Sequence, residues 1–141
     1  MGSHQDFIAV NDLERAMIDA QAGRMTPTAF QDVFLRAPLY LPSASAIQSD
    51  WSGFLPVVYK REGAEIIAVF SEAERSRRVA HAAPYVLQIE AADFISRLMP
   101  DLGIVVNPGF SVCMELLPPA VRRMAGVVRS AVDREGQSPA S

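Results

Sequence analysis

Ala37-Pro38-Leu39-Tyr40-Leu41-Pro42 is the stretch whose reading decides the fold. Just before it, Phe30, Val33, Phe34 and Ala37 fall at i, i+3, i+4 and i+7, the spacing of one helical face. Pro38 disfavours helical geometry at Ala37 and ends that helix. Pro38 and Pro42 then hold the backbone extended. Leu39, Tyr40 and Leu41 between them supply strand-forming bulk. The stretch is a helix-to-strand junction and contains no chemistry of its own.

On its N-terminal side, Thr26 and Pro27 are the N-cap and first position of the helix that ends here. An earlier helix opens at Asn11 as N-cap, with Glu14 three residues on in a capping-box pattern. Leu13, Met17 and Ala20 form its apolar stripe, and Gly23 reads as its C-cap. The pair predicts an N-terminal helical hairpin. On the C-terminal side, residues 43–53 are polar and small and read as a loop. Leu55 to Tyr59 and Glu65 to Phe70 flank Arg61-Glu62-Gly63-Ala64 as a β-hairpin.

Ser71 reads as the N-cap of the next helix, with Glu74 at the capping-box position. Tyr85 to Ile89 alternates as a strand, and Ala91, Phe94, Ile95, Leu98 and Met99 mark a helix ended by Pro100. Ile104 to Val106 is a short buried strand, Asn107-Pro108-Gly109 a tight turn and Phe110 to Leu116 the partner strand. Pro118-Pro119 opens a last helix with Val121, Met124, Val128 and Val132 inward. Hairpins mixed with helical crossovers predict an α+β fold: a mixed β-sheet of five or six strands with helices packed on it.

A chain of 141 residues has the size of one domain. Residues 1–10 read as an N-terminal segment, in which Met1-Gly2-Ser3-His4 looks like an expression-tag remnant. Residues 11–132 form the domain, and residues 133–141 a polar tail expected to be disordered. A net charge of −3 gives no basis for nucleic acid or an anionic membrane as partner. Apolar runs such as Ile66 to Phe70 are far too short to span a bilayer. The one cysteine, Cys113, cannot form an internal disulfide and fits a reducing, cytoplasmic compartment. No secretory signal pattern is visible at the N-terminus.

Several segments together resemble the N-terminal domain of the bacterial SseB family, named for an enhanced-serine-sensitivity phenotype. They are Asn11-Asp12-Leu13-Glu14-Arg15-Ala16, then Phe30 with Leu35-Arg36-Ala37-Pro38-Leu39-Tyr40-Leu41-Pro42, then Leu55-Pro56-Val57. Val69-Phe70-Ser71, Glu74-Arg75, Leu102-Gly103-Ile104-Val105-Val106-Asn107-Pro108-Gly109 and Glu115-Leu116 follow in order. Each motif alone is weak; their order and spacing, over residues 11 to about 125, carry the resemblance. It implies a fold and no catalytic residues, because the family has no established enzymatic activity. Members often carry a further C-terminal domain.

The inventory for chemistry is thin. With His4 set aside, His81 and Cys113 cannot supply the four ligands of a structural zinc site. Cys113, between Val112 and Met114 in an expected strand, reads as inert core. There is no G-x-S-x-G, phosphate-binding glycine loop or dinucleotide fingerprint, so neither catalytic residues nor a cofactor or metal is expected. Asn107-Pro108-Gly109 is better explained as turn chemistry than as a phosphate cradle.

Two groups remain as candidates. Arg75, Arg77, Arg78 and His81 form a local basic cluster, with Arg75 and Arg78, and Arg78 and His81, sharing a helical face. It is either a solvated face partly neutralised by Glu72 and Glu74, or a patch for an acidic partner or anion. Trp51 and Phe54 are either a core plug or an interaction anchor. The leading expectation is a non-catalytic cytosolic module that binds another protein. One alternative is a self-associating or toxin-immunity-type protein, by class analogy. Another is a binder of small anionic metabolites or a cryptic enzyme, with the arginines near the helix start at Ser71.

Overall fold

The computed structural model describes residues 7–98 and 101–137, with side chains to residue 131. Helix α1 (Asp12–Gln21) and helix α2 (Pro27–Arg36) form the expected hairpin. Asn11 caps α1 by accepting from the Glu14 N–H at 2.8 Å, and Thr26 caps α2 by accepting from the Ala29 N–H at 3.1 Å. The inner faces bury Leu13, Ala16, Met17, Phe30 and Phe34, with Phe30 and Phe34 stacked 6.0 Å apart.

Strand β1 (Pro38–Ser43) follows and pairs antiparallel with β4 (Tyr85–Glu90). A second sheet has the order β2 (Val58–Arg61), β3 (Ala64–Val69), β5 (Leu102–Val106), β6 (Met114–Leu116), with β3 and β5 parallel and the other pairs antiparallel. The six strands are therefore divided between two sheets rather than joined in one. The prolines of the junction explain the division. The Ala91 N–H bonds the Ala37 carbonyl, so by alternation Leu39, Leu41 and Ser43 face β4. Pro38, Tyr40 and Pro42 then face the other edge, where two of the three have no N–H to give. Tyr40 alone exchanges bonds with Phe70, at 2.9 and 2.8 Å.

The β2–β3 hairpin turns at Glu62 and Gly63, whose φ values of 51° and 82° are those of a type I′ turn. Strand β6 is shorter than the expected Phe110–Leu116. After the turn at Asn107 (φ 59°) and Gly109 (φ 89°), residues 110–113 leave the sheet edge, and Phe110 folds across the sheet against Phe70 and Phe7. The short helix α3 (Ala73–Ser76) continues as a 3-10 turn, Arg77–Val79. Helix α4 (Ala91–Arg97) precedes β5, and the expected stop at Pro100 lies outside the described residues. Helix α5 (Pro118–Gln137) runs past the expected end at Val132 and buries Val121 and Met124; the Val132 side chain, like residues 1–6 and 138–141, lies outside the described residues. The main core fills one face of the larger sheet, and a smaller cluster of Ile66, Ala68, Phe70 and Val105 covers the other.

Ser71 is not a helix cap. The N-terminus of α3 falls at Glu72, with no side-chain cap. The Ser71 hydroxyl instead donates to the fully buried Glu14 carboxylate and accepts from Asn107 Nδ2 at 2.8 Å. The Ser71 N–H donates to Asn107 Oδ1 at 3.0 Å, and its carbonyl accepts from Asn11 Nδ2 at 2.8 Å. The other partners of Glu14 are the Val10 N–H at 2.9 Å and the guanidinium of Arg75, which grips both carboxylate oxygens. Among the described residues, no buried side-chain nitrogen or oxygen lacks a partner.

Burial pushes the Glu14 carboxyl up, but the hydrogen bonds from Arg75, Ser71 and Val10 outweigh it and hold the group below its ordinary 4.5. A depressed carboxyl stabilises the fold above its unfolded value, and the contribution is lost as pH falls through the folded value. Glu14→Gln is expected to cost roughly 3 kcal/mol at pH 7, the low end for breaking a buried pair. In urea titrations the gap between wild type and variant should narrow below pH 4.5. A gap that stays constant with pH would show that the charge of Glu14 does not stabilise the domain.

Candidate functional site

The basic cluster does not act as one patch. Arg75 is turned inward: besides Glu14 it bonds the Ile8 carbonyl at 2.9 Å and lies 4.0 Å over the Phe7 ring. Its guanidinium is committed to the fold. Arg77 pairs with Glu74 on the surface at 3.0 Å, and His81 sits exposed in the turn after the 3-10 segment. Arg78 is different. Its guanidinium lies 5.1 Å over the Phe110 ring, and a Cβ on Gly109 would come within 2.3 Å of its Nε. Gly109 and Phe110 thus form a seat for the arginine. Among the described residues no carboxylate is paired with it.

Arg78 stands at the rim of a groove of about 520 Å³ on the less covered face of the larger sheet. The floor is Ile66, Val79 and Val105; Tyr59, Lys60 and Arg61 of β2 form one side, and Pro108, Cys113 and Glu115 the other. Arg61 bonds Glu115 across the sheet through Nε at 3.1 Å and through its NH2 group. This pair is exposed enough to add little stability. Burial first, and then the charge of Glu115, push the Cys113 thiol up, which makes it a poor nucleophile at neutral pH. Cys113 lies in the loop before β6 rather than in a strand. Of the groove residues, the sequence reading singled out Arg78 as a binder. The expected strand over Leu55 to Tyr59 includes Tyr59 alone of the three β2 residues here; β2 runs Val58–Arg61 and takes in Lys60 and Arg61, the latter expected in the turn, and their position beside the arginine turn depends on the sheet order.

A larger groove of about 630 Å³ lies along the α1–α2 hairpin. It mixes Asp12, Asp19 and Asp32 with Arg15 and Arg36, and Arg15 already pairs with Asp12. Its charges offset one another, so it does not select a ligand sign.

Trp51 and Phe54 belong to a different place. Trp51 is folded back on α4, stacked on Phe94 at 6.5 Å and edge-on to Phe54 at 5.6 Å, with Arg97 5.0 Å above its ring. It adopts φ 74°, a conformation costing about 1–3 kcal/mol for a residue with a side chain. The Phe54 N–H to Trp51 carbonyl bond at 3.1 Å closes the turn that holds it. Both side chains are half-buried, so they leave an edge of the aromatic pair open to solvent. Among the described residues, no three histidine, cysteine, aspartate or glutamate side chains are grouped to hold a metal ion, and no helix is long and apolar enough to cross a membrane.

Trp51 is the chain's one tryptophan, so its fluorescence reports this corner alone. Its emission in the folded protein should lie to the blue of the urea-unfolded chain. Phe54→Ala should move it towards the red, whereas Arg78→Glu should leave it in place. A folded-state maximum equal to the unfolded one would contradict the packing on α4.

The scattered motifs converge in space. Asn11, Glu14, Ser71, Arg75 and Asn107 form the polar cluster described above, and Pro108-Gly109 leads from it to the seat of Arg78. No curated protein and no solved structure matches the chain. A family model does, the SseB protein N-terminal domain, over residues 13–123. The chain belongs to the SseB family, as a member of its N-terminal-domain type.

Proposed function

We propose that this domain is a non-catalytic module of the bacterial cytosol that binds another protein, with Arg78 and its groove as the contact site. The observation that carries the reading is the state of Arg78. An arginine normally loses side-chain freedom when it binds a carboxylate. Here Gly109 and Phe110 already hold the guanidinium, and it has no carboxylate of its own among the described residues. Its planar fork is therefore pre-organised for an incoming acid group. Lys60 adds positive charge on the opposite side of an apolar floor, where Arg61 is already paired with Glu115. A hydrophobic centre with a charged rim is the ordinary anatomy of a protein interface.

Affinity capture from the native bacterium with wild-type and Arg78→Glu baits tests the reading. A partner retained by wild type and lost by the variant, then shown to bind directly as a purified pair, is the expected result. Turnover of a metabolite by purified protein, abolished by a point substitution, would overturn it.

The groove's volume favours one second reading, since small-molecule sites fall in the range of roughly 300–1,000 Å³. On that reading the ligand is a small carboxylate or phosphate held by Arg78. A thermal-shift screen separates the two. A metabolite that raises the melting temperature of wild type but not of Arg78→Glu favours the small ligand.

A further inference from the structure

We infer that the groove beside Arg78 receives the C-terminal residue of the partner, with its terminal carboxylate on the guanidinium and its apolar side chain on the sheet. This rests on the binding role proposed above and names what the partner presents. Charge selects the head group. In the β2–β3 register Tyr59 stands opposite Ile66 and Arg61 opposite Ala64, which puts Tyr59 and Arg61 on the groove face. Lys60 stands opposite Glu65 and so alternates to the other face of the sheet. On the groove face Arg61 and Glu115 are paired and offset each other. Among the described residues lining that face, the charge left over is the single positive charge of Arg78, held against Phe110 and Gly109. One guanidinium matches one carboxylate through two parallel N–H···O bonds. A phosphate group or a run of acidic residues would bring further negative charge that no free cation on this face answers.

Apolar surface selects the rest. Val79 follows Arg78 directly and packs on the smaller cluster with Ile66 and Val105, so the cation and the floor adjoin. At a chain terminus the carboxylate and the side chain branch from one carbon, and a single leucine, valine or phenylalanine meets both. An acidic side chain inside an extended segment sends its immediate neighbours to the opposite face. In a free amino acid that same carbon carries an ammonium, which would bring like charge beside the guanidinium; in a peptide the nitrogen is a neutral amide. The preceding residues of the partner can leave over β2, whose four residues are all exposed. Capture of a terminal carboxylate is an established mode of peptide recognition.

The probes are six-residue peptides, labelled with fluorescein at the N-terminus, that end in leucine as the free acid, in leucine as the amide, or in serine as the free acid. Anisotropy should show the leucine acid binding tightest. Amidation should weaken it by about tenfold, the worth of one charge-assisted hydrogen bond. Arg78→Gln, with its fold checked by Trp51 emission, should bind the acid and the amide equally and weakly. Unlabelled leucine peptide should displace the probe at lower concentration than N-acetyl-leucine does. Equal affinity of acid and amide for wild type, or an amidation penalty that persists in Arg78→Gln, would overturn the inference. Displacement by N-acetyl-leucine as strong as by the peptide would also overturn it, in favour of a small ligand. A cellular partner that is lost with Arg78→Glu, yet still binds when extra residues are fused after its own last one, would sink terminal capture and leave the broader binding role standing.

Discussion

A carboxylate with no exposed surface sits on the inner face of the first helix, and the rest of the domain is arranged to tolerate it. Glu14 left alone there would carry a desolvation cost of several kcal/mol. Arg75 supplies the opposite charge and Ser71 a hydroxyl, and the Val10 N–H supplies a third donor. Asn107 then fixes Ser71 from the far side. Three elements that share no hydrogen-bonded ladder with α1 are locked to it through one side chain: the start of α3, the end of β3 and the turn after β5.

The fate of the two arginines follows from that lock. Arg75 is drawn inward by Glu14, and the side chain one helical turn later is left outside. Both lie against Phe110, at 5.4 and 5.1 Å, from different sides of the domain's chemistry. One guanidinium is spent on folding and the other is presented to solvent on a rigid aromatic platform. Spacing along the chain made them look equivalent; only the partner on α1 separates them.

Local rules read the elements well and long-range pairing poorly. The helical hairpin, the type I′ turn and the junction at Pro38 all follow from neighbours within four residues. Ser71 looks like an N-cap by the same rules, but its hydroxyl bonds residues 57 and 36 positions away, and those bonds win. Phe110 to Cys113 has the composition of a strand, yet Phe110 gains more by filling the gap over Phe70 than by extending the ladder. The division into two sheets was written in Pro38 and Pro42, and becomes readable once the Ala37 carbonyl shows which edge each proline faces. At the candidate site, Arg78 was visible from its residue type. The strand that lies beside it was not, because the order β2-β3-β5-β6 is a property of the whole chain.

The buried carboxylate also sets a clock on synthesis. Glu14 is made 61 residues before Arg75, which carries the opposite charge of its pair. At roughly 5–20 residues per second, the ribosome needs about 3–12 s to pass from one to the other. Through that interval the helical hairpin carries an apolar face with Phe30 and Phe34 and an unpaired charge beside it. It cannot dock early without burying that charge alone. A nascent chain of this kind waits with its hydrophobic surface uncovered, which makes it a client for any chaperone that reads exposed phenylalanine.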